Sequence, residues 1–277
     1  MDHATPAARI FLLIASAIII TMVVLAQRGR KFFIRRIPGL TAIDEAVGRA
    51  TEMGKPILAS IGLGGLDAQT GIITLQALSI VSFIAETSAR FGSRLLVPMR
   101  DASLVPIAEE SIRDAYTRGG RPEAFHDEDV RFIADQQFAY AAGVAGIINR
   151  EKVASIFLFG YFYAESLIIA ENGNRVGAIQ VAGSPSTTQI PFFIAACDYV
   201  IIGDEFYAAT AYLTRQPTLL GAIVGQDIVK GIVLLLILVG ALLTSFGVPL
   251  MENIFANKAV PVHDWLQHAA AAAKGGS

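Results

Sequence analysis

Pro56–Phe91 reads PILASIGLGGLDAQTGIITLQALSIVSFIAETSARF. A short apolar run, Pro56–Ile61, leads into a Gly-rich turn. A long period without a breaker follows, from about Thr70 to Phe91. That order predicts a strand, a tight turn and a helix. The same alternation repeats downstream. Strands are expected at Arg94–Met99, Val130–Ala134, Ser155–Gly160, Val176–Ala182 and Tyr199–Ile202. Helices are expected near Leu104–Arg118, Gln136–Arg150, Thr188–Ala196 and Glu205–Thr214, and one after Gly160 that runs through Glu171 to an Asn172-Gly173-Asn174 turn. Upstream, Ile37-Pro38-Gly39 reads as a breaker, with Thr41 capping a helix through Met53. Pro98 argues that its strand stops there or lies at an edge.

Short strands alternating with helices imply a mostly parallel sheet covered on both faces. Continuous apolar strands agree, since both faces of each strand are then buried. The expected fold is therefore α/β, a doubly wound, Rossmann-like, mostly parallel sheet of about six strands.

Two further stretches lie outside this pattern. Gly231–Leu250, GIVLLLILVGALLTSFGVPL, is twenty residues without a charge, enough to cross a hydrocarbon core of about 30 Å as a helix. Ile10–Ala26 is a second such run. Its apolar core exceeds the usual signal-peptide length of about 7–15 residues. Arg28, Arg30, Lys31, Arg35 and Arg36 follow it at once, which marks a stop-transfer flank on the cytoplasmic side. Arg215 and Lys230 put the entrance to the second span on that side too.

The expected organisation is an N-terminal transmembrane anchor at 1–27, a basic collar at 28–36 and a cytosolic α/β domain at 37–216. An amphipathic stretch with the second span follows at 217–250, then an extracytoplasmic tail at 251–277. Pro217–Lys230 either lies at the interface or continues the second span. Anchoring falls to Ile10, Phe11, Leu12, Leu234, Leu235 and Leu236, with Trp265 as an interfacial residue of the tail.

A formal charge of −2 gives no reason to expect nucleic acid. A single cysteine, Cys197, excludes an internal disulfide and lacks the companions of a zinc site. Neither span carries a charged residue and no inverted repeat is present, which disfavours a transporter.

Ligands of open parallel α/β sheets sit beyond the carboxyl ends of the strands. The candidate binding residues there are Gly62, Gly64, Gly65, Asp67, Asp101, Glu165, Ser184, Thr187, Asp204 and Glu205. The turn Gly62–Asp67 is not a G-x-G-x-x-G fingerprint, because Asp67 stands where the third glycine belongs. It also lacks the Lys and Ser/Thr of a P-loop. The carboxylates are of a type that could hold Mg²⁺ or supply an acid/base pair. Acidic residues at helix starts equally serve as caps. Ser184, Thr187 and Thr188 lack a nucleophile elbow. Cys197 reads as a buried, inert thiol, and His126 as part of a solvated loop. Phe157, Phe159, Tyr161, Phe162 and Tyr163 read as core and interface.

The segments DQQFAYAAGVAGIINREK, GYFYAESLIIAENGNRVGAIQVAG, QIPFFIAACDYVIIGDEFYAATAYLTRQP and GQDIVKG resemble a bacterial membrane-protein family known only as a domain of unknown function. The resemblance covers about Ile37 to Lys230. It implies the same layout of anchors around an α/β domain and supplies no activity, cofactor or catalytic residue. The function expected is therefore a structural protein that forms a homo-oligomeric assembly at the bacterial inner membrane, with the lipid bilayer as its other partner and no required cofactor. The alternative is a sensor or enzyme that binds a nucleotide or Mg²⁺ at the strand-end carboxylates.

Overall fold

The computed structural model describes residues 6–30, 32, 38–214 and 216–245. The chain divides into two compact units, residues 34–215 and the two flanking segments 1–33 and 216–277.

In the first unit the strands are β1 (Ile57–Gly62), β2 (Leu95–Met99), β3 (Val130–Phe132), β4 (Ser155–Tyr161), β5 (Ile179–Ser184) and β6 (Tyr199–Ile202). They form one parallel sheet in the order β3-β2-β1-β4-β5-β6. The helices are α2 (Pro38–Met53), α3 (Gly71–Phe91), α4 (Val105–Arg118), α5 (Gln137–Glu151), α6 (Glu165–Val176), α7 (Ile190–Ala196) and α8 (Glu205–Thr214). The two-residue period of each strand splits its apolar side chains between two cores. Ile57, Ala59, Ile61, Phe157 and Phe159 face α2, α3, α4 and α8. Leu58, Ile156 and Leu158 face α5, α6 and α7 together with Phe162 and Phe193. The expected doubly wound α/β sheet is the observed one.

Three local expectations are corrected. Pro38 and Gly39 do not break the chain; they open α2, where proline lacks only an amide that has no helical partner. Gly39 is required by proximity, since a Cβ there would lie 2.5 Å from Ile201 Cγ1. Asn172-Gly173-Asn174 is no turn. The helix continues through it to Val176, because a Cβ on Gly173 would crowd Gln180 and Ile156, and the Asn174 side chain accepts from Gln180 Nε2 at 2.8 Å. The fifth strand therefore starts at Ile179, after the left-handed cap Gly177, and takes in Gly183 and Ser184, which read as loop. The expectation at Pro98 holds in its first form: β2 ends at Met99, one residue on, although the strand lies inside the sheet. Its pairs with β1 stop at Leu58↔Leu96, while Val97–Met99 pair with β3, so Pro98 falls just past the ladder its missing amide would have joined.

Among the described residues three helices are long and apolar enough to cross a membrane. In α3 the apolar window is 61% buried, so that helix belongs to the core of its unit; in the other two the figure is 6%. Those two are α1 (Pro6–Gln27) and α9 (Pro217–Ser245), which form the second unit. The stretch Pro217–Lys230 is continuous with the apolar segment as one helix. The helices pack antiparallel through Gly221 and Gly225: a Cβ on Gly221 would lie 2.6 Å from Val23 Cα, and one on Gly225 2.8 Å from Ile19 Cα. This is a G-x-x-x-G contact, which lets two backbones approach closely. Farther along, the pair parts around an apolar groove of about 480 Å³ between Phe11 and Gly240. Ile10, Phe11, Leu12, Leu234, Leu235 and Leu236 are exposed on the helix pair. Lys31, Arg35, Arg36, the end of the second apolar run and the tail with Trp265 lie outside the described residues.

Candidate functional site

Strand order reverses direction between β1 and β4, which is where open α/β sheets place a ligand crevice. Glycines shape this crossing. Gly62 has φ +76° and Gly160 φ +127°. A Cβ on Gly62 would strike the Tyr161 carbonyl, and one on Gly160 the Ile61 carbonyl. The register slips between Ser60 and Gly62, and Leu63 N–H donates to Tyr161 O at 2.7 Å. Beside it β1 and β2 part at Pro98, and the Tyr140 hydroxyl closes the gap. A chain of bonds runs from Gly62 N–H to Ser60 Oγ (3.1 Å), to Tyr140 (2.7 Å) and on to Pro98 O (3.1 Å). Burial pushes the Tyr140 hydroxyl well above the usual phenol range, so it stays a donor.

The Gly-rich turn is closed on itself. Asp67 Oδ1 accepts from Gln69 N–H and Thr70 N–H, both at 2.8 Å, and Oδ2 accepts from the Thr70 hydroxyl at 2.6 Å. The hydroxyl bond, then the two amides, hold the Asp67 carboxyl below the usual carboxylate range. Gly65 N–H donates to Thr70 Oγ1 at 3.0 Å, and a Cβ on Gly64 would strike that of Thr74. The amides that a phosphate would need at the start of α3 are thus taken by the protein's own carboxylate.

Other contacts tie the neighbouring loops together. Arg100 donates from Nη1 to Leu63 O and from Nε to Asp135 O, both at 2.7 Å. Asp101 caps the next short turn through Ser103 N–H at 2.9 Å. Glu165, fully buried, accepts from Tyr163 N–H at 2.9 Å and from Gln137 Nε2 at 2.6 Å. The structure therefore gathers Gly62, Gly64, Gly65, Asp67, Asp101 and Glu165 around the ends of β2, β1 and β4. Ser184 lies one strand farther, buried, its Oγ accepting from Ser186 N–H at 3.2 Å; Thr187 is exposed. Asp204 and Glu205 follow the edge strand β6, about 14 Å from β1 at three strand spacings. Asp67 and Asp101 approach one another, their Oδ2 atoms 3.5 and 3.3 Å from the position a Cβ on Gly65 would take, but among the described residues no group of three or more His, Cys, Asp or Glu is placed to hold a metal ion. Burial pushes the Cys197 thiol up to about 12, which keeps it a thiol at neutral pH. His126 borders a hollow of about 460 Å³ at the opposite edge, beside Arg94, which is paired to the buried Asp129.

Arg100, Gln137, Tyr140 and Gly160 hold this edge together; Arg100 follows the second expected strand, whereas the other three do not stand out in the sequence. Gly160, inside an apolar strand, was the signal closest to hand, since an interior strand glycine marks close backbone approach.

Burial raises the Glu165 carboxyl above its ordinary range, with the Tyr163 amide and Gln137 opposing. A carboxyl raised by folding contributes stability that is complete below the unfolded value and lost as pH rises through the folded one. Glu165→Gln removes that loss. The unfolding temperature of the wild-type chain minus that of Glu165→Gln is expected to fall as pH rises from about 4 to 7.5. A difference independent of pH would contradict the burial argument.

The profile of a family described as "Domain of unknown function (DUF6754)" matches residues 2–255. No curated protein and no solved structure matches the chain.

Proposed function

The chain belongs to the DUF6754 family, a domain of unknown function, and we propose from its own residues that it is a membrane-anchored organising protein that assembles with copies of itself. In this reading α1 and α9 span the bacterial plasma membrane. The basic flank Arg28–Arg36 and Lys230 keep the α/β domain in the cytosol.

One observation carries the reading. The described residues of the domain expose fifteen large apolar side chains. All but Met53, Phe91 and Tyr199 stand at strand carboxyl ends, in the loops that follow, or in the first five residues of the next helix. Leu66 (51% exposed), Phe138 (60%) and Tyr163 (52%) are among them. Soluble surfaces rarely gather exposed apolar groups on one side unless that side meets a partner. The polar groups between them are bonded to one another, which suits a docking face better than a reaction centre.

Light scattering on the full chain in mild detergent tests this. A mass that is a multiple of the 29.5 kDa monomer is expected, falling toward the monomer when Leu66 and Phe138 are both changed to Ser. A monomer at every concentration overturns the reading. The strand order favours a second reading, a small ligand in the β1–β4 crevice. Asp67 opposes an anionic one, since it already occupies the amides at the turn.

A further inference from the structure

This inference rests on the assembly reading and names the contact. We propose that the carboxyl edge of the sheet receives the basic collar, residues 28–36, of a second copy of the chain.

The edge combines two chemistries. Leu66 and Tyr163 on loops, and Phe138 in the first turn of α5, present apolar surface in a frame fixed by the Arg100 and Gln137–Glu165 bonds. Around them stand Asp67, Asp101 and Asp135, while the guanidinium of Arg100 is committed to the Leu63 and Asp135 carbonyls. An apolar, acidic face is matched by a segment that is apolar and basic. The collar, RGRKFFIRR, sets Phe32, Phe33 and Ile34 between five cations, so it carries both complements in nine residues. Opposite potentials of this kind select partners and fix their register.

Other occupants fit worse. Two edges face to face would set carboxylate against carboxylate. A bilayer surface rich in anionic lipid repels the same carboxylates. A collar folded onto its own domain would satisfy the face within one chain and leave no assembly. Collar to edge is a contact between two different surfaces, a head-to-tail arrangement that closes into a ring or continues as a chain of copies.

The test uses full-length chains carrying Cys197→Ser, in vesicles of zwitterionic phosphatidylcholine. One copy carries Ile37→Cys, just past the collar, and a differently tagged copy Ala139→Cys, exposed beside Phe138. Mild oxidation is expected to join the two tags. The yield should fall at least tenfold with Asp135→Lys in the receiving copy, with excess peptide of residues 28–36, or on raising sodium chloride from about 0.05 to 0.5 M. The salt series needs no edge variant and so stands even if Asp135→Lys fails to fold. Cross-linking only within a chain that carries both cysteines overturns the proposal, as does a yield indifferent to charge and salt. Absence of the cross-link while the mass remains a multiple also overturns it, with the assembly reading intact. A monomer throughout removes both.

Discussion

Gly160→Ala is expected to destabilise the α/β domain by about 3 kcal/mol, the sum of about 1–2 for a side chain at positive φ and about 1–3 for forced backbone movement. At φ +127° the new methyl group would strike the Ile61 carbonyl and lie 3.3 Å from Ala77 Cβ. Both neighbours are walls: the carbonyl belongs to the central strand and Ala77 to the buried face of α3. For a domain of this size the change lowers the unfolding temperature by roughly 6–12 °C. Gly62→Ala should behave alike, because its methyl meets the Tyr161 carbonyl across the same crossing. The double variant should cost less than the two added, since one separation of β1 and β4 relieves both clashes. Gly177→Ala is the control. Its φ of +73° lies in the left-handed region, where alanine is strained by about 1–2 kcal/mol, and nothing lies within 4 Å of the added atom. Circular-dichroism melting of the full chain reads the series. A Gly160→Ala loss no larger than that of Gly177→Ala would mean that the close strand approach is not what requires glycine.

Replacing Gly221 and Gly225 by Leu is expected to separate α1 from α9. In the proposed membrane-spanning arrangement lipid would supply little hydrophobic drive between the two helices, so their association would depend on the backbone packing that small residues permit. Each leucine would be built into the α1 backbone, at Val23 and Met22 O for the first and at Ile19 for the second. Relief requires the axes to move apart toward the usual spacing of about 8–10 Å. Spin labels at Leu12 and Leu235, both exposed, report the change as a longer and broader distance distribution. Gly231→Leu, with nothing within 4 Å, should leave it unaltered. A distribution unmoved by the double substitution would show that other contacts hold the pair.

The candidate edge was legible in part. A parallel α/β sheet puts its loops after the strands, so Gly62, Asp67, Asp101 and Glu165 are placed at that edge by the sequence alone. What each does was not legible. Asp67 could be read as a ligand or as a cap, and the choice turned on Gln69, Thr70 and their amides coming within 2.8 Å. Glu165 looked like one more surface carboxylate at a helix start until the β4–α6 loop buried it against Gln137. The Gly221–Gly225 spacing was present in the sequence and passed as part of an amphipathic stretch. A four-residue interval of glycines acquires meaning only when another backbone lies against it.

By itself the sequence determined the element types, because a strand buried on both faces must be apolar throughout and a helix must repeat near every fourth residue. It also determined that α1 and α9 are long and apolar enough to cross a bilayer. Tertiary structure alone decided the strand order and the reversal at β1 and β4, since six strands of similar apolarity carry no label for their neighbours. It decided as well that Asn172–Asn174 stays helical and that Pro98 sits inside the sheet. At Asn172–Asn174 a contact from outside the segment, Gln180, outweighed the local preference of the chain.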